Sequence, residues 1–152
     1  MPALAQLPGL TLAAVATRSE ASARAAATAF GAPLWFDDAL ALARSGAVDI
    51  VTICVKVPEH RTAALAALGA GKHVYCEWPL GRSVAEAEEL AAASARTGVH
   101  HAIGLQGRAA PAARRAREPI TGGAIGRPLS VRILSTTAGY APAPPTRPSP
   151  SR

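Results

Sequence analysis

Arg18, Ser19, Lys56, His60, Glu77, Gln106 and Arg108 are the side chains of this 152-residue chain whose types and positions suit chemistry. An imidazole, a carboxylate and guanidinium groups can exchange protons or hold an anion. Each lies at or just past the end of a short apolar run. The stretch from Val48 to Leu80, VDIVTICVKVPEHRTAALAALGAGKHVYCEWPL, shows the pattern best. It reads as a buried strand, a turn carrying His60, an Ala/Leu helix, and a second strand ending in Glu77-Trp78-Pro79. Unbroken Val/Ile runs mark strands covered on both faces, and a helix between two of them implies a parallel crossover. Open α/β sheets bind ligands past the carboxyl ends of their strands, so these polar residues mark a site.

The elements that must position them follow in order along the sequence. Leu10–Ala16 is an apolar strand closed by Thr17-Arg18-Ser19; Ser19 caps the next helix, and Gly31 stops it after Phe30. Leu34–Phe36 is extended, and Asp37 or Asp38 opens a short helix ending near Gly46. After the strand Asp49–Val55 a helix runs from about His60 to Leu68, then His73–Cys76 is a strand. Ser83-Val84-Ala85-Glu86 is a capping box for a helix to Thr97, followed by a strand over Val99–Ile103. Pro111 opens a further helix that ends at Gly122-Gly123, and Leu129–Thr137 alternates as a half-buried strand of a different sheet. The alternation predicts a doubly wound parallel α/β sheet and the start of a second α+β domain. The expected divisions are 1–106, 107–137 and a Pro-rich disordered tail, 138–152.

Composition narrows the function classes. Hydrophobic residues make up 49% and aromatics 4%, so the core is expected to be aliphatic and alanine-rich. The formal charge of +6 comes mostly from arginines spread over several helices and the tail, with no interleaved aromatics, which argues against nucleic acid. No apolar stretch reaches membrane-spanning length, and the start, MPALAQLPGL, lacks a basic leader. A cytoplasmic protein is expected. Cys54 and Cys76, at strand ends, are too few for a zinc site and read as reduced, buried, structural thiols.

The segment Asp49–Pro79, with its strand, His60 and "AALGAGKHVYCEWP", resembles the Gfo/Idh/MocA oxidoreductases. The similarity continues through Gly104-Leu105-Gln106-Gly107-Arg108 and "ITGGAIGRPLSV", and covers about Leu7 to Thr137. The resemblance implies a Rossmann-like domain that binds NAD or NADP and exchanges hydride with a sugar-like carbinol or carbonyl. It places Arg18, Ser19, Val55, Lys56, His60, Glu77, Trp78, Gln106 and Arg108 around the cofactor. Arg18 with Ser19, after the strand that meets the adenosine ribose, favours the 2′-phosphate of NADP; an ordinary cap beside a solvated arginine fits the same residues. Lys56, standing with Val55 where the family has Thr-Pro, can reach a phosphate or snorkel to water.

Three departures qualify the implied activity. The family's Glu-Lys-Pro motif is here Glu77-Trp78-Pro79, and an indole cannot replace the titrating ammonium that the family uses in proton transfer, so no catalytic residue is assigned. Trp78 suits a stacking wall or a packing residue beside Pro79. The Glu-Trp-Pro-Leu and Leu-Gln-Gly-Arg version is similar to the fungal galactose-regulon repressor, which implies an alternative: a dinucleotide-sensing regulator working through protein–protein contacts. No strand–GxGxxG–helix unit is present, since Gly69-Ala70-Gly71 lies at a helix end and Gly122-Gly123 precedes a loop. The chain is thus expected to lack the family's first strand and phosphate cradle, to leave apolar edges on Leu10–Ala16 and Asp49–Val55, to self-associate, and to be inactive by itself.

Overall fold

The computed structural model describes residues 4–134. Every strand is short, and every pairing is parallel. The order is β1 (Ala14–Ala16), α1 (Glu20–Phe30), β2 (Leu34–Phe36), α2 (Ala39–Arg44), β3 (Ile50–Ile53), α3 (Val57–Gly69), β4 (His73–Glu77), α4 (Val84–Thr97), β5 (His101–Gly104) and α5 (Pro111–Thr121). The strands form two sheets, β1–β2 and β3–β4–β5. Among the described residues β1 pairs with β2 alone and β3 with β4 alone, so each keeps one open edge.

Local chemistry sets the helix ends. The Ser19 hydroxyl accepts the Ser22 N–H at 3.3 Å, and the Asp38 carboxylate accepts the Ala41 N–H at 3.0 Å. Gly31 ends α1 at φ 69°, a left-handed conformation that a side chain disfavours. At α4 the Ser83 hydroxyl accepts the Glu86 N–H at 3.2 Å. The return bond of a capping box goes one residue further back, because the Glu86 carboxylate accepts the N–H of Arg82 at 2.8 Å. α3 begins at Val57, earlier than the expected His60. Pro58 causes this: its fixed φ suits a first turn, where the missing N–H costs nothing.

One core joins β3, β4, α2, α3 and α4. Val51, Ile53, Val74 and Cys76 point to the same side of β3 and β4 and meet Ala64, Ala67, Leu68, Leu90 and Ala93 of α3 and α4. The alternate residues differ: Ile50 is 45% exposed and Thr52 is exposed. Helix α2 packs against β1, β2 and α3 and places Leu42 and Ala43 in the same core. Arg61 of α3 donates twice to Glu89 of α4, Nε to Oε2 and Nη2 to Oε1, both at 2.6 Å. This pair holds the Glu89 carboxyl below the usual carboxylate range, chiefly by the side-chain hydrogen bond.

The chain divides between Arg108 and Ala109 into two compact units. In the second unit α5 is followed by turns and by residues 127–134 without strand pairing. The half-buried strand expected over Leu129–Thr137 is therefore not formed in its described part. Leu129 and Leu134 are each 88% exposed. Alternating residues give a strand its faces, but the ladder needs a neighbouring backbone, and the described residues offer this segment none. Residues 135–137 of that segment, and the expected disordered tail 138–152, lie outside the described residues.

Candidate functional site

The ends of β3, β4 and β5 are aligned by their register. Ile53 pairs with Cys76 and Cys76 with Ile103; Glu77 then pairs with Gly104. The loops that follow, 54–56, 78–83 and 105–108, consequently emerge side by side. Val55, Lys56, Glu77, Trp78, Gln106 and Arg108 are all carried on this edge. Lys56, Gln106 and Arg108 are exposed, Glu77 is partly buried, and the Trp78 indole is 65% exposed. Arg18 and Ser19 follow the end of β1, in the other sheet, where the Thr17 N–H donates to the Phe36 carbonyl at 3.1 Å. Ser19 is engaged as the α1 cap, while the Arg18 side chain is exposed.

His60 is placed differently from the rest. Its ring is 1% exposed, with Nδ1 at 2.9 Å from the Pro79 carbonyl oxygen and Nε2 at 3.0 Å from that of Val55. The imidazole thus faces inward, and whatever it contributes to ligand binding passes through the two loops it touches.

Two residues not assigned to the site from the sequence belong to this edge. Tyr75 stands two residues before Glu77 on the same side of β4, and a Cβ built on Gly104 would lie 2.7 Å from its hydroxyl. A side chain at 104 would push aside the phenol, which lies there beside Gln106. Cys54 was expected to be buried; it is exposed and free, because it continues the alternation of β3 onto the face of Ile50 and Thr52, which is open. Strand alternation with Glu77 carries the signal for both residues.

Partial burial pushes the Cys54 thiol up, and the neighbouring Glu77 charge adds to this. Cys76 is pushed up to about 11, first by burial and then by the charges of Cys54 and Glu77. Raised pKa values mean less thiolate at neutral pH. Iodoacetamide should therefore label Cys54 more slowly than an unstructured peptide cysteine, and Cys76 more slowly still. Both rates should climb about tenfold per pH unit below each thiol's pKa. Equal rates at the two cysteines in the folded chain would contradict the burial of Cys76.

The donor set suits the two ends of a dinucleotide: Glu77 and Gln106 for hydroxyl and amide groups, Arg18 and Lys56 for phosphate charge. It does not suit the middle. Among the described residues no turn from strand to helix carries a G-x-G-x-x-G run, the turn whose backbone N–H groups receive a pyrophosphate in such domains. Nor do these residues include a group of His, Cys, Asp and Glu able to hold a metal ion, or a helix long and apolar enough to cross a membrane.

Known proteins give this arrangement its context. Residues 1–105 match a family described as oxidoreductases with an NAD-binding Rossmann fold. A dehydrogenase of Aspergillus oryzae, aclE, is 38% identical over 125 residues, which cover 81% of this chain and 34% of the relative. The galactose/lactose metabolism regulatory protein GAL80 of Kluyveromyces lactis is 35% identical over 112 residues, covering 69% of this chain and 24% of that protein. A levoglucosan dehydrogenase structure, a complex with NADH and levoglucosan, superposes with a TM-score of 0.72 at 31% identity, covering 79% of this chain and 33% of that one. The chain spans about a third or less of the length of these relatives. Parallel strands joined by helices, the polar edge past their carboxyl ends and the match over residues 1–105 lead to one conclusion: this chain belongs to the Gfo/Idh/MocA oxidoreductase family, in its NAD-binding Rossmann domain.

Proposed function

We propose that this chain is the NAD(P)-binding portion of an oxidoreductase acting on a sugar-like carbinol or carbonyl, with residues 107–137 opening the substrate domain. The observation that carries this reading is the aligned edge of β3–β4–β5, which sets Lys56, Glu77, Trp78 and Gln106 on adjacent loops. When bound, the nicotinamide exchanges hydride with the carbinol carbon. The chain's own groups bind and orient: Glu77 and Gln106 receive the nicotinamide end, Trp78 offers a flat apolar wall, and Arg18 meets the far ribose. With no lysine at position 78 to handle the proton and no glycine-rich cradle, the chain by itself binds weakly and does not turn over. Its location is cytoplasmic, and its open strand edges make it self-associate.

Arg18 sets the cofactor preference. A guanidinium–phosphate contact contributes roughly 1.5–3 kcal/mol, so NADPH should bind about tenfold or more tighter than NADH. Titration followed by nicotinamide fluorescence should show that difference, and Arg18→Asp should erase it. No saturable signal from either nucleotide would sink the binding reading; oxidation of NADPH with a panel of aldoses and ketoses would sink the inactivity.

A regulatory reading has its own support. Trp78 replaces the family lysine, and the similarity to GAL80 spans 69% of this chain. In that case the family's binding edge serves as a sensor whose output is a protein–protein contact, and a longer version of the chain should bind nucleotide without turnover on any sugar tested.

A further inference from the structure

We propose that His60 is a positioning residue that fixes the spacing of the loops after β3 and β4 through two different backbone carbonyls. The proposal deepens the binding-edge reading above and rests on it for its functional meaning. Its ring sits on α3, beneath both loops, and is 1% exposed. The two acceptors, the Pro79 oxygen at 2.9 Å from Nδ1 and the Val55 oxygen at 3.0 Å from Nε2, belong to loops that are otherwise open to solvent. Val55 is 48% exposed, and Trp78, the residue before Pro79, is 65% exposed. A carbonyl only accepts, so the ring serves each loop only by donating to it.

Each tautomer of the ring carries its N–H on a different side, so the two loops are served by two different ring nitrogens. Its neighbours supply no carboxylate partner. Cys76 of β4 lies 3.5 Å from Nδ1, and its thiol is protonated at neutral pH. Arg61, next along α3, is committed to Glu89 of α4, and Glu86 of α4 to Arg82. Glu77 follows Cys76 and turns to the opposite side of β4. The ring therefore acts on the crevice through its hydrogen bonds to the backbone, and a shift of either loop moves the residues that flank it, Lys56 on one side and Trp78 on the other.

Three substitutions separate this role from mere packing. The Asn amide nitrogen reaches the position of Nδ1, the Gln amide nitrogen reaches that of Nε2, and Phe fills the space with no donor. In ¹H–¹⁵N spectra of the full chain, His60→Asn should shift the amide signals of Val55 and Lys56 and spare those of Trp78 and Leu80. His60→Gln should do the reverse, and His60→Phe should shift both groups together with the Trp78 indole. The Trp35 indole, on β2, serves as the unmoved control. Signals that stay in place in His60→Phe, or the same pattern from Asn and Gln, would overturn the proposal; should Phe not fold, the Asn/Gln contrast still decides. NADH titration of the unaltered chain tests the binding edge separately, since a chain that fails to bind while keeping the two-loop pattern refutes that reading alone.

Discussion

Truncating Ile53 to alanine should lower the unfolding free energy by about 2–5 kcal/mol, the range for buried Ile or Leu cut to Ala. Ile53 is 2% exposed and stands on β3 against helices whose buried faces include three alanines, Ala64, Ala67 and Ala93. Alanines have no rotamers with which to swing into a void, so relaxation is left to Leu68 and Leu90 and part of the cavity stays open. Small domains retain a net stability of only about 5–15 kcal/mol, and among the described residues two strand edges here are unpaired, so the variant should be largely unfolded in mild denaturant. Urea unfolding followed by circular dichroism measures the loss. Leu134→Ala is the control: that side chain is 88% exposed and its removal should change stability by less than about 0.5 kcal/mol. A cost at Ile53 no larger than at Leu134 would mean the core is not where the structure puts it.

The second large effect concerns association. The open edge of β3 carries Ile50, 45% exposed on the side left uncovered by α3 and α4. An unpaired apolar edge recruits another strand, and charge on such an edge is the usual defence. The unaltered chain should form oligomers whose mass, read by light scattering, rises with concentration. Ile50→Lys should weaken this about tenfold or more, equivalent to ~1.4 kcal/mol, because pairing would bury an ammonium group. A monomer at every concentration, or association indifferent to the lysine, would show that the edge is not sticky.

Helix ends and strand positions were legible because each is written in residue types. Ser19, Asp38 and Ser83 cap as their hydroxyls and carboxylates require, and Gly31 sits where φ is positive. The Val/Ile runs placed β3 and the crossover helix, although Pro58 advanced the helix start by a turn. The failures share a cause. Leu129–Thr137 has the alternation of a strand, yet alternation says nothing about whether a partner backbone is present. Cys54 was assigned to the interior because β3 was read as covered on both faces, whereas the face that carries Ile50 and Thr52 is open. Both contacts of His60 are to backbone carbonyls, and carbonyls leave no trace in residue type. The Arg61–Glu89 pair joins residues 28 apart on different helices, beyond the reach of any local spacing rule.

The division into two parallel sheets also bears on cooperativity. Every ladder joins strands that are successive in the sequence, β1 to β2 and β3 to β4 to β5, and among the described residues no backbone hydrogen bond of a ladder ties one group to the other. Cohesion between the groups falls to side chains, above all those of the single short helix α2, which touches β1, β2 and α3. Two blocks joined this way are free to open on separate schedules, so native-state hydrogen exchange would resolve a weaker amino-terminal foldon from a more persistent one built on β4.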